Sequence, residues 1–290
     1  MPNGRGVQPA GSGRRSFTLP APCSPLPATT VPNVKIGIQT RSLRQPLRQA
    51  LRTASRLGAD GVEIDARNEL PPGELSGTGL REFHQLLDDL DLRVSAVAFP
   101  TRRGYDVPED LERRVLATQN AMRLARELRC DVVINRVGRV PDDSNDPRFA
   151  RMLEALTALG SFGDHVGVRL AAQTAGESPH NLARLFEALP EHSIGVDLHP
   201  SELIFGGRSP QEAVEVLGPH VLHVHACDAV RETAGGRAIE VELGRGTADF
   251  SELLGRLTEF DYRGWVSIER RDAANPVADI ENAVAFLRAL

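Results

Sequence analysis

The sequence has few cysteines and no long apolar run, and each absence excludes a class of protein. Its three cysteines, Cys23, Cys130 and Cys227, form no Cys-x-x-Cys spacing. Neither a disulfide framework nor a cysteine-rich zinc site is therefore predicted, which favours a reducing, cytoplasmic setting. Charged residues interrupt every hydrophobic segment well before the roughly 20 residues that a membrane helix needs, so no membrane partner is expected.

The chain also lacks a basic stripe. Its 34 basic and 39 acidic residues give a net charge of -5, whereas nucleic-acid binding needs clustered cations that release counterions from the phosphate backbone. Lys35 is the single lysine among the basic residues, and this bias indicates no function. No nucleic-acid partner is expected.

Residues 1–33 differ in composition from the rest of the chain. They contain no acidic residue and are rich in glycine, proline and serine. Such a segment has too little apolar surface to offset the conformational entropy lost on ordering, so a disordered N-terminal extension is predicted. The folded domain is predicted to span 34–290.

From Lys35 onward, short β-type runs alternate with longer stretches of helical period. Strands are predicted at 34–39, 61–65, 92–99, 131–137, 168–174, 193–198, 220–225 and 264–269. Helices are predicted near 45–57, 80–87, 108–128, 148–161, 178–188, 210–217, 249–258 and 277–289. Eight such pairs predict a (β/α)8 TIM barrel, with an open doubly wound sheet as the alternative. No Gly-x-Gly-x-x-Gly follows the first run, which disfavours dinucleotide binding.

The last four predicted strands each end in a polar side chain that can bind a metal: Gln173, Asp197, His225 and Glu269. The C-terminal strand ends of such a barrel build its active site, and unpaired polar groups there are costly, so these four are expected to cluster. Three oxygen donors and one imidazole predict one divalent metal, Mn²⁺ first, with Mg²⁺, Co²⁺ and Zn²⁺ as alternatives. Local capping or pairing at each strand end is the competing interpretation.

Four segments in the last third of the chain carry a family resemblance: His225-Ala-Cys-Asp228, Leu243-Gly-Arg-Gly246, Tyr262-Arg-Gly-Trp265 and Ile268-Glu269. Together they resemble the C-terminal signature of the xylose isomerase-like TIM barrels, which include sugar phosphate isomerases and epimerases, ketose 3-epimerases, inosose dehydratases and endonuclease IV. The resemblance implies one metal held by Glu, Asp, His and Glu at the ends of strands five to eight. Asp197, His225 and Glu269 match, whereas Gln173 stands at the first position.

Gln173 bears on the reaction that the resemblance implies. In the epimerase-like members both glutamates bind metal and exchange protons with the substrate carbon. An amide can coordinate through its oxygen but cannot serve as a base. We therefore expect a sugar isomerase or epimerase in which Glu269 is the acid/base and Gln173 a neutral ligand or a hydrogen-bond donor to substrate. The alternatives are a metal-dependent lyase or dehydratase on a keto-polyol such as an inosose, and a catalytically reduced sugar-binding barrel.

Further polar residues near the strand ends are predicted to bind a small polyhydroxylated substrate. Glu63 and Arg136 lie at strand ends, Arg245 lies in the Gly-Arg-Gly loop, and His199 shares a strand face with Asp197. The arginines could hold a carboxylate or phosphate in two-pronged contacts, with salt bridges across the barrel mouth as the alternative. For His199 the alternative is a cap on the following loop. Aromatic residues make up only 4% of the chain, which favours hydrogen bonding over stacking, and a homo-oligomeric state is left open.

Overall fold

A computed structural model of the protein describes residues 34–191, 193–231 and 237–290. The predicted N-terminal extension, residues 1–33, lies outside the described residues. Within the described ranges, no helix combines the length and the apolar character needed to cross a bilayer.

Eight of the ten strands in the described residues are parallel and close into a barrel. The ten strands are β1 (Lys35–Gln39), β2 (Gly61–Asp65), β3 (Arg93–Ala98), β4 (Val132–Asn135), β5 (Arg169–Gln173), β6 (Ile194–Leu198), β7 (Val221–Ala226), β8 (Asp228–Arg231), β9 (Ala238–Val241) and β10 (Trp265–Ile268). Strands β1 to β7 follow one another around the barrel, and β10 closes it by pairing with both β7 and β1. The predicted (β/α)8 TIM barrel is confirmed.

Nine α-helices accompany these strands in the described part of the chain. They are α1 (Leu47–Arg56), α2 (Gly77–Asp89), α3 (Leu111–Glu127), α4 (Pro147–Val166), α5 (Pro179–Ala188), α6 (Pro200–Phe205), α7 (Pro210–Leu217), α8 (Phe250–Glu259) and α9 (Pro276–Arg288). Capping residues fix several ends. The Asp146 side chain accepts from the backbone N–H of Arg148 at the start of α4, and Gly167, with φ of 72°, ends that helix.

Three elements differ from the predicted pattern: the strands β8 and β9, and the helix α6. The segment after β7, predicted as a loop, contains the antiparallel pair β8–β9, and the short helix α6 stands between β6 and α7. Helix α6 has only six residues, which is too short for a helical period to emerge from the sequence. No residue of β9 is fully buried, so this strand has no buried face to impose an alternating apolar pattern.

The main apolar core lies between the barrel strands and the helices. Ile36 and Ile38 of β1 are fully buried and belong to the same cluster as Leu51 and Ala54 of α1. Because side chains alternate along a strand, Gly37 between the two isoleucines faces the barrel interior. The outer face of β1 is therefore apolar, while its inner face leaves space.

Gly37 makes room for a small polar layer inside the barrel. A Cβ atom at this position would lie 2.5 Å from Ser267 Oγ and 2.8 Å from Ser95 Oγ. Those two hydroxyls lie 3.0 Å apart and hydrogen-bond each other, and both serines are fully buried. The backbone of β1 thus approaches two buried hydroxyls more closely than any side chain would allow.

We predict that Gly37→Ala lowers the free energy of unfolding by about 1–3 kcal/mol, because the added methyl group overpacks the interior. Urea unfolding followed by circular dichroism measures the change. Gly255→Ala is the matched control: the site lies within α8 with no atom within 4 Å of the added Cβ, so the same substitution should raise stability by up to about 1 kcal/mol. Equal effects of the two substitutions would contradict the overpacking argument.

Candidate active site

The C-terminal strand ends surround a cavity of about 570 Å³ at the mouth of the barrel. Its wall includes Gln39, Glu63, Asn135, Gln173, His225 and Glu269. Neighbouring strands bring these positions into register, as where Gln173 of β5 pairs with Asp197 of β6. Parallel strands of a closed barrel present all their C-terminal ends on one face, so residues far apart in sequence meet there.

His225 of β7 lies at the centre of the buried cluster. Its Nδ1 is 2.9 Å from Asp197 Oδ2, its Nε2 is 2.9 Å from Glu63 Oε2, and Nε2 is also 3.9 Å from Glu269 Oε2. The imidazole is 1% exposed. Burial opposes protonation of this ring, but the charges of Asp197 and Glu63 raise its pKa well above the usual value.

Asp197 connects the cluster to the layer below it. Its carboxylate accepts from His225 Nδ1, from His223 Nδ1 at 2.8 Å and from Gln173 Nε2 at 3.1 Å. Burial alone raises the pKa of Asp197, yet the charge of His225 and the hydrogen bonds of both histidines hold it well below its usual range. His223 Nε2 contacts Ser267 Oγ at 2.8 Å. A chain of polar contacts therefore runs from the cavity to the serine layer.

Glu269, directly after β10, forms a second group with His199 and Arg271. Glu269 Oε2 lies 2.6 Å from His199 Nε2, and Glu269 Oε1 accepts from Arg271 Nε at 2.5 Å. Burial raises the pKa of Glu269, but the charge of His199 and the hydrogen bond from it outweigh this, leaving the pKa well below the usual value. Burial lowers the pKa of His199, whereas Cys227 and Glu269 raise it to about 9.

His199 makes the capping contact that the sequence offered as the alternative, and it also contacts the cluster through Glu269. Its ring contacts Glu269 in the cluster, and its Nδ1 also accepts from the backbone N–H of Glu202 at 3.4 Å, which caps the start of α6. The imidazole is fully buried. The residue therefore connects the beginning of a helix to the cavity.

Arginines close one side of the cavity. Arg136 donates through Nε to Gln173 Oε1 at 3.0 Å and through Nη2 to Glu202 Oε1 at 3.0 Å. Arg271 donates to the same oxygen of Glu202 at 2.6 Å. Glu202 thus joins the two guanidinium groups, and the oxygen of Gln173 is engaged by one of them.

The structure brings together all but one of the predicted site residues. The cavity wall contains Glu63, Arg136, Gln173, His225 and Glu269. Asp197 and His199 are buried behind it, where they contact His225 and Glu269. Arg245 does not line the cavity: its side chain is 73% exposed and pairs with Glu242 at 3.1 Å. Arg271 and Glu202 are site residues that the sequence pattern did not predict. The spacing of Arg271 two residues after Glu269 is the available signal for the first, because alternate positions on an extended chain point the same way.

The ligand atoms around His225 have the spacing and the burial that a bound cation requires. Glu63 Oε2 and His225 Nε2 are buried and form no hydrogen bond with any described residue, although they lie 2.9 Å apart. Neighbouring ligands on an octahedral ion with bonds of about 2.1 Å lie roughly 3 Å apart. Asp197 lies at a similar distance from the other ring nitrogen, Nδ1, and one ion binds the ring through one nitrogen. His199, His225 and Glu269 form one ligand-like group, and Glu63, His223 and His225 another. The residues fit a divalent cation.

Solved structures share this fold at low sequence identity. A xylose isomerase domain protein from Planctomyces limnophilus is 22% identical with a TM-score of 0.78, covering 89% of this chain and 97% of its own. A probable 3-DHS dehydratase of petrobactin synthesis from Bacillus anthracis is 15% identical with a TM-score of 0.72, covering 88% and 98%. A D-tagatose 3-epimerase-like protein is 20% identical with a TM-score of 0.71, covering 88% and 98%. These similarities establish the fold.

The amino-acid sequence is also similar to that of a known protein and matches a family. An uncharacterized protein from Methanocaldococcus jannaschii is 25% identical over 182 residues, an alignment that covers 58% of this chain and 60% of that relative. The family described as xylose isomerase-like TIM barrel matches residues 51–290. Since this match includes most of the barrel and the whole polar cluster from Glu63 to Glu269, the chain belongs to the xylose isomerase-like TIM barrel family.

Proposed function

We propose that this protein is a divalent-metal-dependent isomerase or epimerase acting on a small polyhydroxylated substrate, a sugar or sugar derivative. The observation that carries the proposal is the set of carboxylates around His225: Asp197 and Glu63 each lie 2.9 Å from a ring nitrogen, and Glu269 lies 3.9 Å from one. So many buried carboxylates beside one imidazole are costly unless a cation shares them. Family membership supports the same reaction class.

The proposed ligands are Asp197, His225 and Glu269, with Glu63 as a further carboxylate within reach. Gln173 would be a neutral fourth ligand once its amide turns, because its oxygen accepts from Arg136 and its nitrogen donates to Asp197. Oxygen donors with one imidazole suit Mn²⁺ first, with Mg²⁺, Co²⁺ and Zn²⁺ as alternatives. A bound ion would act as a Lewis acid that polarises a carbonyl or hydroxyl oxygen of the substrate.

Glu269 is the proposed acid/base. Its carboxylate is ionised at neutral pH, which is the form that accepts a proton from the carbon next to a substrate carbonyl. The lowered pKa makes it a weaker base than an ordinary glutamate. Contacts from His199 at 2.6 Å and from Arg271 at 2.5 Å hold its two oxygens in place. These two residues position the carboxylate, while Glu269 itself contacts the reacting carbon in this proposal.

Gln173 favours a second candidate, a lyase or dehydratase acting on a keto-polyol. An epimerase that exchanges protons on both faces of a carbon needs two bases, and an amide supplies none. The amide of Gln173 is instead held between Asp197 and Arg136. Elimination of water next to a carbonyl can proceed with one base, the role proposed for Glu269.

Hydrogen bonding is proposed to select the substrate. The cavity wall includes the amides of Gln39 and Asn135 and the guanidinium of Arg136, groups that suit hydroxyl and carbonyl oxygens. Both amides also bond within the protein, Gln39 to Glu63 and Asn135 to the carbonyl of Phe99. Arg136 is already paired with Glu202 at 3.0 Å, so it offers hydrogen bonds more than free positive charge.

We predict that the purified protein carries close to one equivalent of Mn, Mg, Co or Zn and that the double variant His225→Ala, Glu269→Ala carries none, because two proposed ligands are lost. Inductively coupled plasma mass spectrometry measures the content. His165→Ala, Glu154→Ala is the matched control, since both residues are exposed on α4. Wild-type protein that stays metal-free after incubation with excess Mn²⁺ would refute metal dependence.

Metal affinity is predicted to rise with pH through the neutral range. The pKa of His225, raised in spite of burial well above its usual value by Asp197 and Glu63, means that this ring carries its second proton at neutral pH in the metal-free protein. A cation must displace that proton to bind the ring, so affinity should rise by up to about tenfold per pH unit. Calorimetric titration of Mn²⁺ in buffers of different ionisation enthalpy counts the protons released. An affinity independent of pH would contradict the assignment.

The reaction class is tested by incubating the enzyme with ketohexoses and inososes in deuterated water and following the products by NMR. An isomerase or epimerase incorporates deuterium without losing water, whereas a dehydratase releases water. Glu269→Gln should slow either reaction by about 100-fold or more, because the proton-transfer group is lost. Glu154→Gln, the same change at an exposed position, should leave the rate unchanged.

Sugar binding without any turnover would instead support the catalytically reduced barrel. A gain of activity in the Gln173→Glu variant would strengthen that interpretation.

A further inference from the structure

Five arginines line a second cleft beside the cavity: Arg67, Arg102, Arg103, Arg113 and Arg114. The cleft has a volume of about 460 Å³. It lies between the turn that follows β2 and the segment that joins β3 to α3. Asp110 is the single carboxylate among its lining residues, so its wall carries a large excess of positive charge.

Most of the other arginines that line the cavity are compensated by carboxylates, whereas Arg44 donates to the backbone carbonyls of Arg271 and Ala273 and has no carboxylate partner among the described residues. Arg41 pairs with Asp65 at 2.6 Å, Arg136 pairs with Glu202, and Arg271 pairs with Glu269. The cavity wall therefore has little free positive charge. The excess of positive charge in the second cleft is not a simple consequence of the arginine-rich composition, because Arg41, Arg136 and Arg271 at the cavity mouth each have a carboxylate partner.

Within the described part of the chain, the side chains of two cleft arginines contact only neutral groups. Arg67 donates to the carbonyl of Pro100 and lies 5.7 Å from the Phe99 ring centre. Arg114 donates to the carbonyls of Val107 and Glu109. The Nε of Arg114 is buried without a hydrogen-bond partner. These contacts fix the two guanidinium groups but leave their charges unbalanced.

The remaining three arginines are uncommitted. Arg102, Arg103 and Arg113 are exposed, and they form no hydrogen bond or ion pair with any residue in 34–191, 193–231 or 237–290. A guanidinium group stays charged at every physiological pH. Five like charges around one concavity repel one another, and an anion would relieve that repulsion.

We propose that this arginine cleft binds a multiply charged phosphate-type anion. Arginine is the side chain best shaped for phosphate, because its planar donors bind two oxygens at once. A concave wall of one charge also concentrates counter-ions of the opposite sign. The cleft is large enough for a diphosphate or for the phosphorylated end of a small molecule.

The cleft and the cavity share a wall. Thr101, which lines the cleft, donates to Asn135 Oδ1 and to the carbonyl of Arg136. Asn135, Arg136 and Pro100 line the cavity. The anion therefore has two sources: a free polyphosphate, or a phosphate carried by the substrate in the cavity. The second source rests on the proposed function, whereas anion binding itself does not.

Calorimetric titration of inorganic pyrophosphate into the full-length protein, in low salt without divalent metal, tests the cleft. We expect the triple variant Arg102→Gln, Arg103→Gln, Arg113→Gln to bind at least tenfold more weakly than wild type. The matched control is Arg52→Gln, Arg81→Gln, Arg263→Gln, which removes the same charge from exposed positions outside the cleft. The control should change affinity by less than twofold.

Three results would overturn the proposal. They are no pyrophosphate binding by wild type at millimolar concentration, equal losses in the two triple variants, and loss of binding in Glu269→Gln with retention in the cleft variant. Thermal unfolding checks that the variants fold. If the cleft variant does not fold, the single variant Arg103→Gln should still weaken binding about threefold, and an unchanged affinity there would also overturn the proposal.

Competition with sugars distinguishes the two sources. If the substrate carries the phosphate, D-fructose 6-phosphate should displace pyrophosphate better than inorganic phosphate does, and Glu269→Gln should weaken that displacement. If the anion is free, D-fructose 6-phosphate should compete no better than inorganic phosphate, and Glu269→Gln should have no effect. Either pattern supports an anion site in the cleft, and failure of metal binding in the cavity would leave pyrophosphate binding intact.

Discussion

The buried contact between Asp197 and His225 is the interaction on which the site depends. Both residues are almost fully inaccessible, and an isolated charge at that depth would be costly, so each holds the other in place. A histidine whose Nδ1 faces a carboxylate has a fixed ring orientation. That orientation directs Nε2 toward Glu63 and Glu269. The carboxylates at the centre of the mouth are therefore arranged around this ring.

The barrel accommodates the Asp197–His225 pair because the layer of residues beneath it is made of small and polar side chains. Gly37 leaves space for the hydroxyls of Ser95 and Ser267, and Ser267 contacts His223, which in turn contacts Asp197. Buried polar groups stabilise a fold only when all of them find partners. A glycine in the first strand therefore makes room for the hydroxyl that contacts His223, and through His223 it supports the charged pair of Asp197 and His225.

The sequence predicted the barrel and most of its polar mouth for a physical reason. Each strand is a short apolar run, and the first polar residue after it, such as Asp197 or Glu269, lies at the mouth of a parallel barrel. Contacts made by long side chains from irregular segments could not be predicted this way. Glu202 lies on the six-residue helix α6, and Arg271 reaches the site from beyond its strand end. Arg245 follows the unpredicted pair β8–β9, and it points into solvent instead of into the cavity.

His199 gives the site a property that no single strand end could provide. One imidazole caps α6 through Nδ1 and contacts Glu269 through Nε2. Any rotation of this ring that changes its contact with Glu269 also removes the acceptor for the Glu202 N–H. Local order at the start of α6 is therefore thermodynamically linked to what occupies the cavity. Because Glu202 on that helix joins Arg136 to Arg271, this linkage extends across the mouth to the far side of the barrel.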